Sequence, residues 1–204
     1  MAVHYRTQGF IIKKTDRGES DRLFTIYTKD FGKLEILGRA IRKIKSKLRG
    51  GIELFYLSEI EFIQGKTHKT LTDTILIESF PNIRKNLERL KIAHQIAEVL
   101  DNLVVKEEKD DQVWQLLKEV FDKLNSFRKI EIIYYYFFWH LVSILGYEPE
   151  IHDCSIGEEK IDCDVVKILK VILKKDWPIL SRLKLEPTHL ELLKDVSEWY
   201  NKNI

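Results

Sequence analysis

The chain has 204 residues, 44% of them hydrophobic and 32% charged, which excludes a disordered polymer and allows one large domain or two small ones. Its 34 Lys and Arg nearly balance its 32 Asp and Glu, leaving a net charge of +2, so the whole chain is not a polyelectrolyte. Two cysteines, Cys154 and Cys163, are too few for a disulfide framework and suit a reducing cytosol.

The N-terminus, Met1 to Gly9, is polar and lacks the apolar core of a signal peptide. Residues 1 to 80 then show period-two runs separated by Gly and charged turns, which predicts short antiparallel strands. Five runs are placed: Thr7 to Lys14, Arg22 to Thr28, Lys33 to Gly38, Glu53 to Gln64, and Thr70 to Phe80. In the fourth, Leu54, Tyr56, Ile60 and Phe62 share one face, with Glu59 and Glu61 on the other. Five short strands in this length predict a small closed barrel of the OB type, because closure removes exposed edges.

Between the third and fourth runs lies the segment Gly38 to Gly51. It holds Arg39, Arg42, Lys43, Lys45, Lys47 and Arg49, with no acidic residue from Ile36 to Ile52. Such a loop repels itself and calls for water or a polyanion. Arg supplies half of the six charges, and its planar fork suits phosphate. The glycines at both ends let the loop swing. Lys13, Lys14, Arg17 and Arg22, near the first turn, extend the candidate patch, and Phe24, Tyr27, Phe31 and Tyr56 are either stacking surfaces or barrel core. Residues 1 to 80 carry 15 Lys or Arg and 10 Asp or Glu, so the barrel is the basic half of the chain.

From Pro81 the period becomes helical. Ile83, Leu87, Leu90, Ala97, Leu100 and Val104 form one stripe, with His94 on or beside it. The charged break Lys106 to Asp111 precedes a second amphipathic helix marked by Val113, Leu116, Leu117, Val120, Phe121 and Leu124. A third, from about Lys129 to Leu145, is apolar on almost every side and predicts a central bundle helix. Its uncharged stretch, Ile132 to Tyr147, is shorter than the roughly 20 residues a bilayer needs. Consecutive positions in Tyr134 to Trp139 point in all directions, so they form core rather than one stacking face. An irregular segment at 147–163 follows, then helices near Val165 to Lys174 and Thr188 to Asn201, the latter with a Thr188–Glu191 capping box after Pro187.

No phosphate-binding Gly-rich loop, nucleophile elbow or His-Glu-x-x-His pair occurs, so neither ATP hydrolysis nor other catalysis has visible machinery and no cofactor is called for. His152, Cys154 and Cys163 fall short of the four N or S ligands that structural zinc takes. On the residues alone, a DNA-binding protein, an RNA-binding accessory factor and a scaffold for an acidic protein all remain open.

An ordered series of motifs resembles a known family. Gly9-Phe10-Ile11-Ile12-Lys13, Gly18-Glu19-Ser20-Asp21-Arg22 and Tyr27-Thr28-Lys29-Asp30-Phe31-Gly32-Lys33 are similar to the start of the RecO recombination mediators. The segment Gly38 to Gly51 resembles their G-x-R-R-x-K-S element. Leu54-Phe55, Glu59-Ile60-Glu61, Glu78-Ser79-Phe80-Pro81 and Leu145-Gly146-Tyr147-Glu148-Pro149-Glu150 continue the likeness. The resemblance implies an N-terminal OB barrel over 1–80 and a helical domain over 81–204. It implies binding of single- and double-stranded DNA, annealing of complementary strands without ATP, and a cytoplasmic location. Implied partners are RecR, the acidic C-terminal tail of single-stranded-DNA-binding protein and, indirectly, RecA. Many relatives carry a four-cysteine zinc finger after the G-Y-x-P element. Here Cys154 matches its first position, Gly157 replaces the second and the segment is shortened, so a metal-free turn is expected.

Overall fold

In the chain's computed structural model, which describes residues 3–204, alternating inward side chains roll the first part of the chain into a closed barrel. Its strands are β1 (His4–Arg17), β2 (Asp21–Thr28), β3 (Gly32–Gly38), β4 (Leu57–Gln64) and β5 (Lys69–Glu78), joined in the order β1-β2-β3-β5-β4. Only the β3–β5 contact is parallel, and β1 closes the barrel by pairing with both β2 and β4. This is OB topology. The interior holds Ile11, Phe24, Ile26, Leu34, Ile36, Ile60 and Phe62, all almost fully buried. Gly32 turns β2 into β3 at φ 64°, and a Cβ there would lie 2.0 Å from the carbonyl oxygen of Glu108.

Four of the five expected strands fall where the alternation put them. The fourth begins later, at Leu57. Residues 53–56 form a turn in which Phe55 takes φ 65°, its N–H donating to Ile11 O at 2.8 Å while Ile11 N–H donates to Tyr56 O at 3.1 Å. Those two bonds bend the chain where the apolar pattern alone reads as continuous strand.

Two helices follow, α1 (Pro81–Lys85) and α2 (Leu87–Leu103). The expected single stripe is broken at Asn86, whose extended backbone ends α1 and whose side chain caps α2 by accepting from Arg89 N–H. Leu87 consequently lies on the surface, while Ala93, Ile96, Ala97, Val99 and Leu100 are buried. Lys33 of β3 is buried, and its ammonium donates to the Asp101 carbonyl and lies 3.4 Å from the Asp101 carboxylate. Paired in this way, a buried cation ties strand to helix instead of destabilising the core.

The chain divides into two compact units, the first ending at Gln115 and the second being Leu116–Ile204. The change of period at Pro81 and this division are therefore different boundaries: α1 and α2 belong with the barrel. Helix α3 (Asp111–Ser126) runs across the division.

In the second unit α4 (Glu131–Ile144) is the centre, with Tyr135 through Val142 all buried. Glu119 accepts hydrogen bonds from Tyr136 Oη at 3.1 Å and Trp177 Nε1 at 2.5 Å. His140 donates from Nε2 to Ile172 O at 3.1 Å, and burial pushes its pKa down to about 4, so it stays neutral. Around α4 lie α5 (Cys163–Ile172), α6 (Trp177–Arg182) and α7 (Pro187–Asn203). Helix α7 is capped by Glu186 with His189, two residues earlier than the expected Thr188–Glu191 box, because Pro187 occupies the first helical position. Among the described residues no helix is long and apolar enough to cross a membrane.

The segment before α5 holds a small hairpin, β6 (Ser155–Ile156) with β7 (Glu159–Lys160), turning at Gly157. Contrary to the expectation drawn from the cysteine count, Cys154 and Cys163 are joined as a disulfide that brackets the hairpin. With both thiols bonded to each other and Gly157 offering no donor, these residues do not fit a zinc site. Replacing both cysteines by Ser should cost about 2–3 kcal/mol in equilibrium unfolding, as expected for closing so short a loop. An unchanged denaturation midpoint would show that the crosslink contributes nothing to the second unit.

Candidate nucleic-acid interface

The β3–β4 connection is a sequence of turns ending in a 3₁₀ segment (Lys47–Gly51). Its aliphatic residues anchor it: Ile41 is 3% and Ile52 2% exposed, and both join the barrel core, with Leu48 packed against it. Polar bonds fix the backbone between these anchors. Ala40, at φ 50°, donates its N–H to Asp21 Oδ1 at 2.8 Å, and Arg42 N–H donates to Ser20 O at 3.0 Å. Lys43 N–H closes a turn on Ala40 O, and Ser46 N–H closes another on Lys43 O. Farther along, Thr74 Oγ1 donates to Leu48 O and Ser58 Oγ to Gly51 O. Gly51 is buried, and a Cβ there would lie 2.5 Å from Thr74 Oγ1, so this glycine serves close packing rather than a swinging hinge. The loop is built into the barrel.

All six of its cations nevertheless face solvent. Arg42 alone is tied back, donating from Nη1 to Gly18 O at 3.1 Å and lying 3.5 Å from Asp16. The side chains of Arg39, Lys43, Lys45, Lys47 and Arg49 make no hydrogen bond or ion pair among the described residues. The Ala40 N–H, followed by Ser20 and the Arg39 and Lys43 charges, holds the Asp21 carboxyl below its usual range. The hydrogen bond from Arg22, with the Arg22 and Arg42 charges, does the same for Asp16.

The four expected outlying cations fall in different places. Arg22 donates to Asp16 at 2.6 Å and joins Arg42 and Arg49 around a cleft of about 130 Å³. Phe24, Ile41 and Ile52 supply the apolar lining of that cleft, and Glu53 its one carboxylate. Lys14 comes to the same place through Glu53, at 2.6 Å. Arg17 lies against His68 at 3.4 Å, and Lys13 is drawn to Asp101 of α2 at 2.9 Å. Neither Arg17 nor Lys13 lines the cleft.

The aromatic candidates are largely occupied. Phe24 and Tyr27 are core, and Phe31 packs edge-on against Tyr5 and Phe62. Tyr56 lies under the Arg84 guanidinium at 4.4 Å. His94 is exposed, with its ring edge-on to Phe55 at 4.8 Å. The charge count does not show what Asp16, Asp21 and Glu53 do: Asp16 orients Arg22 and Arg42, Asp21 the loop backbone, and Glu53 Lys14. The pairing of Asp16 with Arg22 across the β1–β2 turn is the signal from which the first of them could have been read.

A closed five-stranded barrel of OB topology, carrying a cationic β3–β4 loop and followed by helices, defines the class. The chain matches the family model described as "Recombination protein O N terminal" over residues 1–80 and that described as "Recombination protein O C terminal" over residues 84–165. It is 30% identical to a protein of Dehalococcoides mccartyi named "DNA repair protein RecO", over 89% of this chain and 83% of that one. Proteins of the same name from Roseiflexus and Thermoanaerobacter are 33% and 26% identical. The alignments cover 74% and 88% of this chain, and 53% and 84% of those relatives respectively. The chain belongs to the RecO family.

Asp21→Ala should free the loop without opening the barrel. Amide exchange at Ala40 and Arg42 is expected to quicken by roughly five- to tenfold, with β1 and β2 unchanged. Equal protection in the variant would show that Asp21 does not hold the loop.

Proposed function

We propose that this chain is a DNA repair protein that acts as a recombination mediator, using the β3–β4 loop as its phosphate-binding element. The observation that carries this reading is the set of five exposed, unpaired cations on an acid-free loop whose backbone is already ordered. Holding like charges together has an electrostatic cost that phosphates relieve. A preordered loop also loses less entropy on binding than a flexible one.

Neutralising the phosphates of one strand lowers its repulsion for the complement, so the bases can pair without ATP. The contact is to backbone, hence independent of sequence, and it serves single- and double-stranded DNA alike. In the family role, the protein works with RecR to help load RecA onto DNA covered by single-stranded-DNA-binding protein, in the cytoplasm. The acidic tail of that protein calls for a surface joining aliphatic groups to Lys or Arg. The groove of about 260 Å³ beside α7 sets Glu159, Asp162 and Asp195 against Lys160 alone, so tail docking needs a different surface.

If all six loop cations contact phosphates, log affinity for a single strand should fall against log salt with a slope of about −4. Replacing Arg39, Lys43, Lys45, Lys47 and Arg49 with Ala, while keeping Arg42, should flatten the slope to about −1. An unchanged slope in a folded variant would remove the loop from the interface.

A further inference from the structure

Ile44, between Lys43 and Lys45, is 92% exposed, more than any other large hydrophobic residue among those described. A detached loop would explain this, but Ile41, Leu48 and Ile52 of the same loop are packed into or against the core. The backbone around Ile44 is also closed by the Lys43–Ala40 and Ser46–Lys43 hydrogen bonds. The fold thus buries or packs every other isoleucine and leucine of the loop and displays this one between two unpaired ammonium groups. The aromatic candidates offer no platform for bases beside it, since Phe24 and Tyr27 are interior and Tyr56 is covered by Arg84, and the exposed apolar residues of β5, Ile75, Leu76 and Ile77, have no Lys or Arg beside them in sequence.

We propose that Ile44 is a wedge that enters between adjacent bases of a bound single strand while Lys43 and Lys45 hold the flanking phosphates. Aliphatic side chains open base steps in this way when the backbone on either side is held, and leaving water favours the insertion. The ligand class is therefore a strand free to unstack, and the intact duplex meets the loop through its phosphates only. This rests on the nucleic-acid reading of the loop and adds a contact to the bases.

The test uses the full chain and an oligodeoxyadenylate carrying one internal 2-aminopurine, whose emission is quenched by stacking. Binding of the wild-type chain should raise the emission. Ile44→Ala and Ile44→Ser should lose most of that rise, while affinity falls less than about tenfold and the salt slope stays the same, because the phosphate contacts remain. Ile44→Leu should keep the rise. At an exposed position these changes should leave the thermal transition in place. Equal emission for wild type and Ile44→Ala at saturation overturns the wedge and leaves the phosphate reading intact. A wild-type chain that binds no single strand overturns both.

Discussion

The anchoring of the β3–β4 loop by Ile41, Leu48 and Ile52 is the constraint on which the functional reading depends. Six cations close together repel, and a chain left to itself would spread them. Here aliphatic side chains hold the loop to the barrel, so burial of apolar surface offsets charge repulsion. The loop needs no internal acids to stay compact. Asp21 contributes from β2, accepting a backbone N–H rather than neutralising a cation directly. Arg42 apart, charge stays available to a ligand because the groups that order the loop are not the groups that would bind.

The same economy recurs at the base of the loop. Arg42 and Arg22 are oriented by Asp16, and Lys14 by Glu53, whereas Arg49 on the same cleft has no such partner. Oriented and unpaired arginines thus line one cleft at the base of the loop. The second unit follows a different logic. Its central helix is apolar on almost every side, and Glu119 and Ile172 O take up the polar atoms of Tyr136 and the neutral His140, while Trp139 Nε1 is buried without a hydrogen-bond partner.

Much of this was legible in the sequence, for identifiable reasons. Strand alternation located the barrel where a strand keeps one exposed face, although Phe24 to Thr28 of β2 are buried throughout, and the uncharged run Ile132 to Tyr147 marked the central helix. The start of β4 was not legible, since Phe55 is turned by hydrogen bonds to Ile11, more than forty residues earlier in the chain. Helix α6, six residues with Pro near its start, and the two-residue strands β6 and β7 are too short for any period to show. Cys154 and Cys163 are 9 residues apart in sequence but only 4.5 Å between Cα atoms, a proximity created by the hairpin. At the site, charge density revealed the loop cations. It could not reveal that Lys13 turns to Asp101 while Lys14 turns to Glu53, because strand register and the bulge after Ile11 decide that.

The proposed role of the ordered, unneutralised loop is to bring two strands together. It is tested most directly by annealing of two complementary labelled strands without ATP at low salt. The comparison is between the wild-type chain and the variant that lacks Arg39, Lys43, Lys45, Lys47 and Arg49 but keeps Arg42. Acceleration by the wild type and none by the variant is expected, with both showing the same thermal transition. Equal acceleration by a folded variant would contradict it.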